Sequence, residues 1–188
     1  DGTFLLYDTA IALITNVDPD HLDHWGTRDA FYDAFVRFGD EAREAVVISS
    51  DDPGARRVSE SLRHPRIVTF GEHEEADVRA VGIDQTPDSS RVTARVFGKD
   101  LAYELGVAGK HVVLNSLGVL AAVHALGADV DAAAMALADV SAPAGRGARS
   151  VLNTADGTFT LIDESYNANP ASMRAALTTL GNMVVPTR

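Results

Sequence analysis

The sequence predicts an α/β fold with a mostly parallel sheet, and three features of its hydrophobic pattern predict it. Residues 11–15 and 45–48 are short unbroken apolar runs, the form taken by strands covered on both faces. The stretches after them carry apolar residues at helical spacing. Over residues 77–106 the period drops to two, which adds an antiparallel appendage to the parallel sheet.

Taken in order, the elements follow from local chemistry. Thr27 can cap a helix that places Phe31, Ala34, Phe35 and Phe38 on one stripe. The strand at 45–48 stops at Ser-Ser-Asp-Asp-Pro. A helical stretch then ends near His64 and Pro65, ahead of a third strand at 66–70. In the appendage Val92, Ala94 and Val96 alternate with polar neighbours, and residues 101–105 follow. Gly109 punctuates the chain before a helix with Val113, Leu117, Leu120 and His124 on one face, and an Ala-rich helix spans about 130–140. Residues 141–147, small and turn-rich, form the best linker, and a domain boundary falls there. Beyond it, 148–153 and 158–163 flank Thr154, Ala155, Asp156 and Gly157, a hairpin signal. Asn169 as cap and Pro170 at the first helical position start a helix with Met173, Ala176, Leu177 and Leu180 on one face. A hairpin and one helix cannot bury a core of their own, so the second domain is expected to be incomplete.

Composition narrows the function. The 188 residues hold 16 Lys and Arg against 27 Asp and Glu, a net charge of −11, with no clustered cations. That argues against a nucleic-acid partner or an anionic membrane surface. The longest apolar stretch, 112–126, is interrupted by Asn115, Ser116 and His124, so it reads as a buried helix with no membrane insertion. The absence of Cys excludes disulfides, thiolate metal sites and a cysteine nucleophile.

Three constellations carry possible chemistry. Residues 15–26 follow a buried strand, where open α/β sheets build their sites. There His21, with Asp18, Asp20, Asp23 and His24 nearby, offers hard oxygens and imidazole suited to Mg²⁺ or Mn²⁺; alternatively Asp-Pro-Asp caps a turn and the histidines pack beside Trp25. Residues 109–115 open a helix on which Asn115 can give a donor and an acceptor to an adenine edge, or satisfy a neighbouring loop. The Gly106, Gly109, Lys110 and His111 pattern is no Walker loop, since both the spacing and the following Ser or Thr are wrong. Residues 161–170 place Asp163, Glu164, Ser165, Tyr166, Asn167 and Asn169 where a strand runs into a helix, more polar groups than a turn requires. Arg146 in the linker suits a phosphate or carboxylate arriving between domains. Arg149 and Lys110 are the other cations near these motifs.

Together and in this order these segments resemble the ATP-dependent Mur ligases of peptidoglycan precursor synthesis, over nearly the whole chain. The run Asp-Glu-Ser-Tyr-Asn-Ala-Asn-Pro-Ala-Ser-Met, and residues 70–183 generally, look like the MurF-type enzyme, which adds D-alanyl-D-alanine to a UDP-N-acetylmuramoyl tripeptide. Residues 1–40 look more like the MurC-type enzyme, which joins L-alanine to UDP-N-acetylmuramate. Phe35 stands where MurF-type enzymes tend to carry a Lys, and the chain reads either as an unusual member or as a hybrid joined between residues 40 and 70.

The resemblance implies ATP and Mg²⁺ as cofactors, a UDP-N-acetylmuramoyl substrate with an amino acid or dipeptide as partners, and a cytoplasmic setting. The expected reaction is amide formation through an acyl phosphate, MurF-type first, with MurC-type ligation and a non-catalytic adenine-nucleotide-binding module as alternatives. Carried over by motif, His21 would ligate Mg²⁺ and Asn115 would touch adenine, although Val112 replaces a further Asn. Arg146 would act catalytically on ATP phosphates, and Asp163, Glu164, Tyr166, Asn167 and Asn169 would lie at the nucleotide, with Glu164 the acid that matters in many relatives. Residues 1–144 would be part of the central ATP-binding domain without its phosphate loop, and 145–188 the truncated start of a Rossmann-like C-terminal domain. Little or no ligase activity is expected from these residues alone.

Overall fold

The computed structural model describes residues 2–19, 22–155, 157–166 and 170–181. Strands β1 (Ile11–Ile14), β2 (Ala45–Ser49), β3 (Ile67–Gly71), β4 (Val78–Gln85), β5 (Ser90–Val96) and β6 (Lys99–Leu105) form one sheet in chain order. The pairs from β1 to β4 are parallel, and β4–β5–β6 is an antiparallel meander. The expected appendage is therefore continuous with the parallel sheet, joined through Phe70 and Gly71 opposite Val78 and Arg79.

Helices cover both faces. On one lie α2 (Arg28–Asp40) and α3 (Pro53–Ser61), which close over Ala12, Ile14, Val46 and Ile48 with Phe31 and Val58. The short α1 (Leu22–Trp25) adds Trp25 to this cluster. On the other lies α4 (Lys110–Ala125), whose Val113, Leu117 and Leu120 are fully buried against Phe70, Val78, Val92 and Leu105. The period-3.6 stripes face the sheet because that is how an amphipathic helix removes its apolar area from water. Thr27 accepts the Ala30 N–H at 3.1 Å, the expected cap.

Three expectations are corrected here. β2 is buried at every position, but β1 alternates, with Ile11 and Leu13 partly exposed, because it pairs only with β2. His124 is exposed, its ring stacked 3.7 Å from that of Phe97, and Ala121 and Ala125 complete the buried face of α4 instead. The Ala-rich helix α5 (Val130–Ala136) is shorter than predicted and ends in a 3-10 turn, Leu137–Asp139.

Under α4 the buried Tyr103 hydroxyl meets Ser116 Oγ at 2.6 Å, and Ser116 in turn donates to the Val113 carbonyl at 2.7 Å. Ser116 has one proton to give, so Tyr103 donates to it. Burial, only partly offset by Ser116, pushes the Tyr103 phenol up to about 12.

The hairpin of β7 (Ala148–Thr154) and β8 (Gly157–Asp163) forms as predicted, a separate two-stranded sheet, followed by α6 (Pro170–Gly181). Its apolar side chains stay open: Val151 is 66% and Leu177 61% exposed. Among the described residues no helix is long and apolar enough to cross a membrane.

Candidate functional site

The carboxyl ends of β1, β2 and β3 open on one cleft of about 730 Å³. Thr15 and Asn16 leave β1 on its floor, Ser49, Asp51 and Asp52 follow β2, and His111 and Asn115 project from the first turns of α4. The far wall is Arg146, Glu164 and Tyr166, with Ser172 and Ala176 of α6. Segments separated by more than a hundred residues meet because parallel strands all point their carboxyl ends to one edge.

Two acids on the β2 side are occupied by backbone. Asp52 Oδ1 accepts the Ala55 N–H at 2.7 Å, capping α3, and the Val17 N–H at 3.0 Å, pinning the loop after β1. Gly54 lets these segments touch, since any Cβ there would overlap the Val17 carbonyl. The Asp51 carboxylate accepts from the Glu72 and His73 N–H groups at 2.7 and 3.1 Å, which fixes the turn after β3.

The linker is knotted to the end of β8. Asp163 Oδ2 accepts the Gly145 N–H at 3.0 Å, Oδ1 accepts the Ser165 N–H at 3.1 Å, and its carbonyl accepts the Gly147 N–H at 2.8 Å. The Tyr166 N–H returns a bond to the Gly145 carbonyl at 3.1 Å. Gly145 sits at φ +75° with a Cβ position only 3.1 Å from that of Tyr166, so a side chain there is both strained and crowded. Donation from Ser165, first by its side chain and then its backbone, with a smaller contribution from Gly145, holds the Asp163 carboxyl below its ordinary range. The knot lays the Arg146 guanidinium 4.0 Å from the centre of the Tyr166 ring.

The cations sort themselves. Lys110 is paired with Glu72 and Arg149 with Asp88, both at 2.6 Å. Among the described residues Arg146 alone of the three has no carboxylate partner. The first N–H groups of α4 are also taken, for Gln85 turned with its oxygen to the helix accepts from Gly109 and Lys110 at 3.0 Å each. The helix end is thus no phosphate cradle, in keeping with the missing Walker pattern. His111 lies on the cleft wall, where burial lowers its imidazole pKa and the Glu164 carboxylate partly raises it again, although the side chain still reaches solvent.

Of the residues singled out in the sequence, the cleft gathers Asn115, Arg146, Glu164 and Tyr166. Asp163 is adjacent but serves the knot, so of the two acids Glu164 is the one facing the cleft. His21, Asn167 and Asn169 lie outside the described residues. Among the described residues no group of three His, Cys, Asp or Glu could hold a metal ion. Asp18, Asp23 and His24 make no such group, and His24 packs edge-on against Trp25, ring centres 5.0 Å apart. The sequence reading missed Asp51 and Asp52, whose signal was an Asp-Asp-Pro directly after a buried strand, and it gave His111 no role.

Fold and cleft define a layered α/β unit with a cleft at its strand ends, one wall of which comes from a segment beyond the main sheet. The chain belongs to the Mur ligase family: the family described as Mur ligase middle domain matches residues 3–123. It is 47% identical over 177 residues to the UDP-N-acetylmuramate--L-alanine ligase of Clavibacter michiganensis, covering 94% of this chain and 36% of that protein. The enzyme of the same name from Methylobacterium radiotolerans is 34% identical over 186 residues, covering 94% of this chain and 39% of that protein. Among solved structures, MurF from Acinetobacter baumannii is similar with a TM-score of 0.81 at 27% identity, covering 97% of this chain and 39% of that one. MurC from Thermotoga maritima, at 24% identity and a TM-score of 0.78 over 96% of this chain and 40% of that one, shares the fold. The chain spans little over a third of the curated relatives' length, 36% for the first.

Proposed function

We propose that this chain is the ATP-binding part of a cytoplasmic ligase of peptidoglycan precursor synthesis that joins L-alanine to UDP-N-acetylmuramate. The observation that carries the reading is the convergence of Asn115, Arg146, Glu164 and Tyr166 on one cleft at the strand ends. The 47% identity to a UDP-N-acetylmuramate--L-alanine ligase puts L-alanine ahead of the D-alanyl-D-alanine expected first. Addition of D-alanyl-D-alanine is the second reading, favoured by the run 163–173 and by the likeness to MurF. Residues 1–144 are proposed as the central domain and 145–188 as the start of the next, a division supported by the bond from the Gly145 N–H to Asp163.

In the proposed reaction the γ-phosphoryl group passes to the substrate carboxylate with ADP as leaving group. The amine then attacks the acyl carbon, loses a proton and expels phosphate. Asn115 presents an amide to the base edge. Arg146, without a carboxylate partner among the described residues and steadied by Tyr166, neutralises phosphate charge as it builds. Glu164, an acceptor when ionised, suits sugar hydroxyls better than phosphates. Mg²⁺ would supply further charge neutralisation, but the described residues do not form its site.

The test is calorimetric titration of Mg-ATP into the chain, with Asn115→Ala and Arg146→Ala alongside. Saturable binding weakened at least about fivefold by each change, roughly 1 kcal/mol, supports the reading. Equal affinity in all three proteins refutes it. The chain alone is expected to form no amide product.

A further inference from the structure

The six-stranded sheet is finished differently at its two sides. At one side β6 carries Lys99, Asp100 and Glu104, all exposed, with Glu104 and Asp100 tied to Arg91 and Arg95 of β5 at 2.7 and 2.9 Å. The turn Leu137–Asp139 packs beside this strand, and the Gly106 N–H just past its end donates to the Leu137 carbonyl at 3.1 Å. Charge and cover are the usual guards of a sheet edge against further strands.

The β1 side has neither guard. Residues 9–17 hold no charged side chain and no Pro, in a chain that is 23% charged. Among the described residues no backbone group pairs with the outer edge of β1. The Glu44 N–H donates to the Ala10 carbonyl at 2.9 Å, and bonding alternates along a parallel edge strand. Ala10, Ala12 and Ile14 therefore turn their N–H and C=O groups to β2, while Ile11 and Leu13 turn theirs outward. Burial agrees, for Ala12 and Ile14 are buried and Ile11 and Leu13 partly exposed. Leu6 and Tyr7, leading into the strand, are open as well, 83% and 73% exposed.

We propose that β1 is the surface through which two copies of this chain associate, edge to edge and antiparallel about a two-fold axis at Ala12. In that register Ile11 stands opposite Leu13 of the second copy, and each such pair exchanges both its N–H···O bonds, so every outward group of the two residues is satisfied. The Ala12 residues of the two copies meet on the axis, where opposed strands come closest and small side chains fit. Asp8 falls opposite Asn16, so no like charges are set against each other, which matters for copies that carry −11 each. A second copy is favoured over a foreign strand because one short apolar run supplies both halves of this pairing, as an isologous contact requires.

The experiment is sedimentation equilibrium across a concentration series on the unmodified chain, Ile11→Lys, Ile11→Thr and Leu177→Asp, with circular dichroism checking each fold. Ile11→Lys installs the missing edge charge; Ile11→Thr loses the same apolar contact without charge. Leu177→Asp probes the open face of α6 as the rival interface. The unmodified chain is expected to pass from one chain mass toward two between roughly 1 and 300 µM, as a small interface of micromolar affinity does. Ile11→Lys should weaken association at least about tenfold, and Ile11→Thr and Leu177→Asp should stay within about threefold of the unmodified chain. A chain that remains monomeric throughout overturns the inference. So does a dimer that survives Ile11→Lys or is lost in Leu177→Asp. Amide exchange of the unmodified chain at both ends of the series decides the matter even where Ile11→Lys does not fold: the Ile11 and Leu13 amides should slow as concentration rises, and equal rates overturn the pairing.

Discussion

The six-stranded body and the β7–β8–α6 segment carry equally regular hydrophobic patterns yet meet opposite fates. In the body, Val46, Val47, Leu117 and Leu120 are wholly buried because the sheet has a helical layer on each face. In the segment Phe159 is 49%, Met173 44% and Leu180 49% exposed, since a two-stranded ribbon and one helix supply no opposing layer. Pattern selects the element; only a second layer turns pattern into burial and burial into stability.

The sharpest way to break this comparison is a matched pair of truncations. Leu117→Ala should cost about 2–5 kcal/mol in denaturant unfolding, the range for a buried leucine with a residual cavity. Leu177→Ala, at 61% exposed, should stay within about 0.5 kcal/mol. Equal costs would mean that α6 is packed as tightly as α4.

Alkaline titration isolates the body. The Tyr103 phenol is raised in the folded chain, so its contribution is intact below the unfolded value near 10 and is lost as pH climbs toward about 12. The loss should approach about 3 kcal/mol, because each tenfold gain in proton affinity on folding is worth about 1.4 kcal/mol, and it should vanish in Tyr103→Phe. Melting that is insensitive to pH in this window would contradict the burial that raises the Tyr103 phenol.

Asp52→Ala should cost about 1–2 kcal/mol, since it uncaps α3 and strands the Val17 N–H, and it should loosen the floor of the cleft more than the far wall. The smallest effect crosses between the regions. His111 is held below its ordinary pKa by burial, so it adds stability at neutral pH that fades as pH falls below about 6.5. Glu164→Gln removes the opposing carboxylate, and an NMR titration should find the His111 midpoint lower still. A midpoint left unchanged would place Glu164 out of reach of the imidazole.

Much of this was legible beforehand where chemistry is local. Thr27, the run 45–48, the alternation at Val92–Ala94–Val96 and the hairpin at 154–157 each encode their element within a few residues. Asn115, Arg146, Glu164 and Tyr166 could be picked by type and context, yet their meeting depends on the parallel sheet and the knot at Asp163. What could not be read was pairing at a distance. Lys110 and Arg149 looked like free cations until Glu72 and Asp88 came into reach, and Asp163 looked like a site acid until its oxygens met Gly145 and Ser165. His124 followed the helical period, yet its ring stacks on Phe97 at the surface and not in the core.

The central claim is that the well-packed body and the open segment build one nucleotide site between them. Amide hydrogen exchange with and without saturating Mg-ATP tests it most directly. The account predicts slowed exchange at once in the first turns of α4 around Asn115 and in the knot from Gly145 to Tyr166. Protection confined to the body, with the knot unchanged, would contradict it.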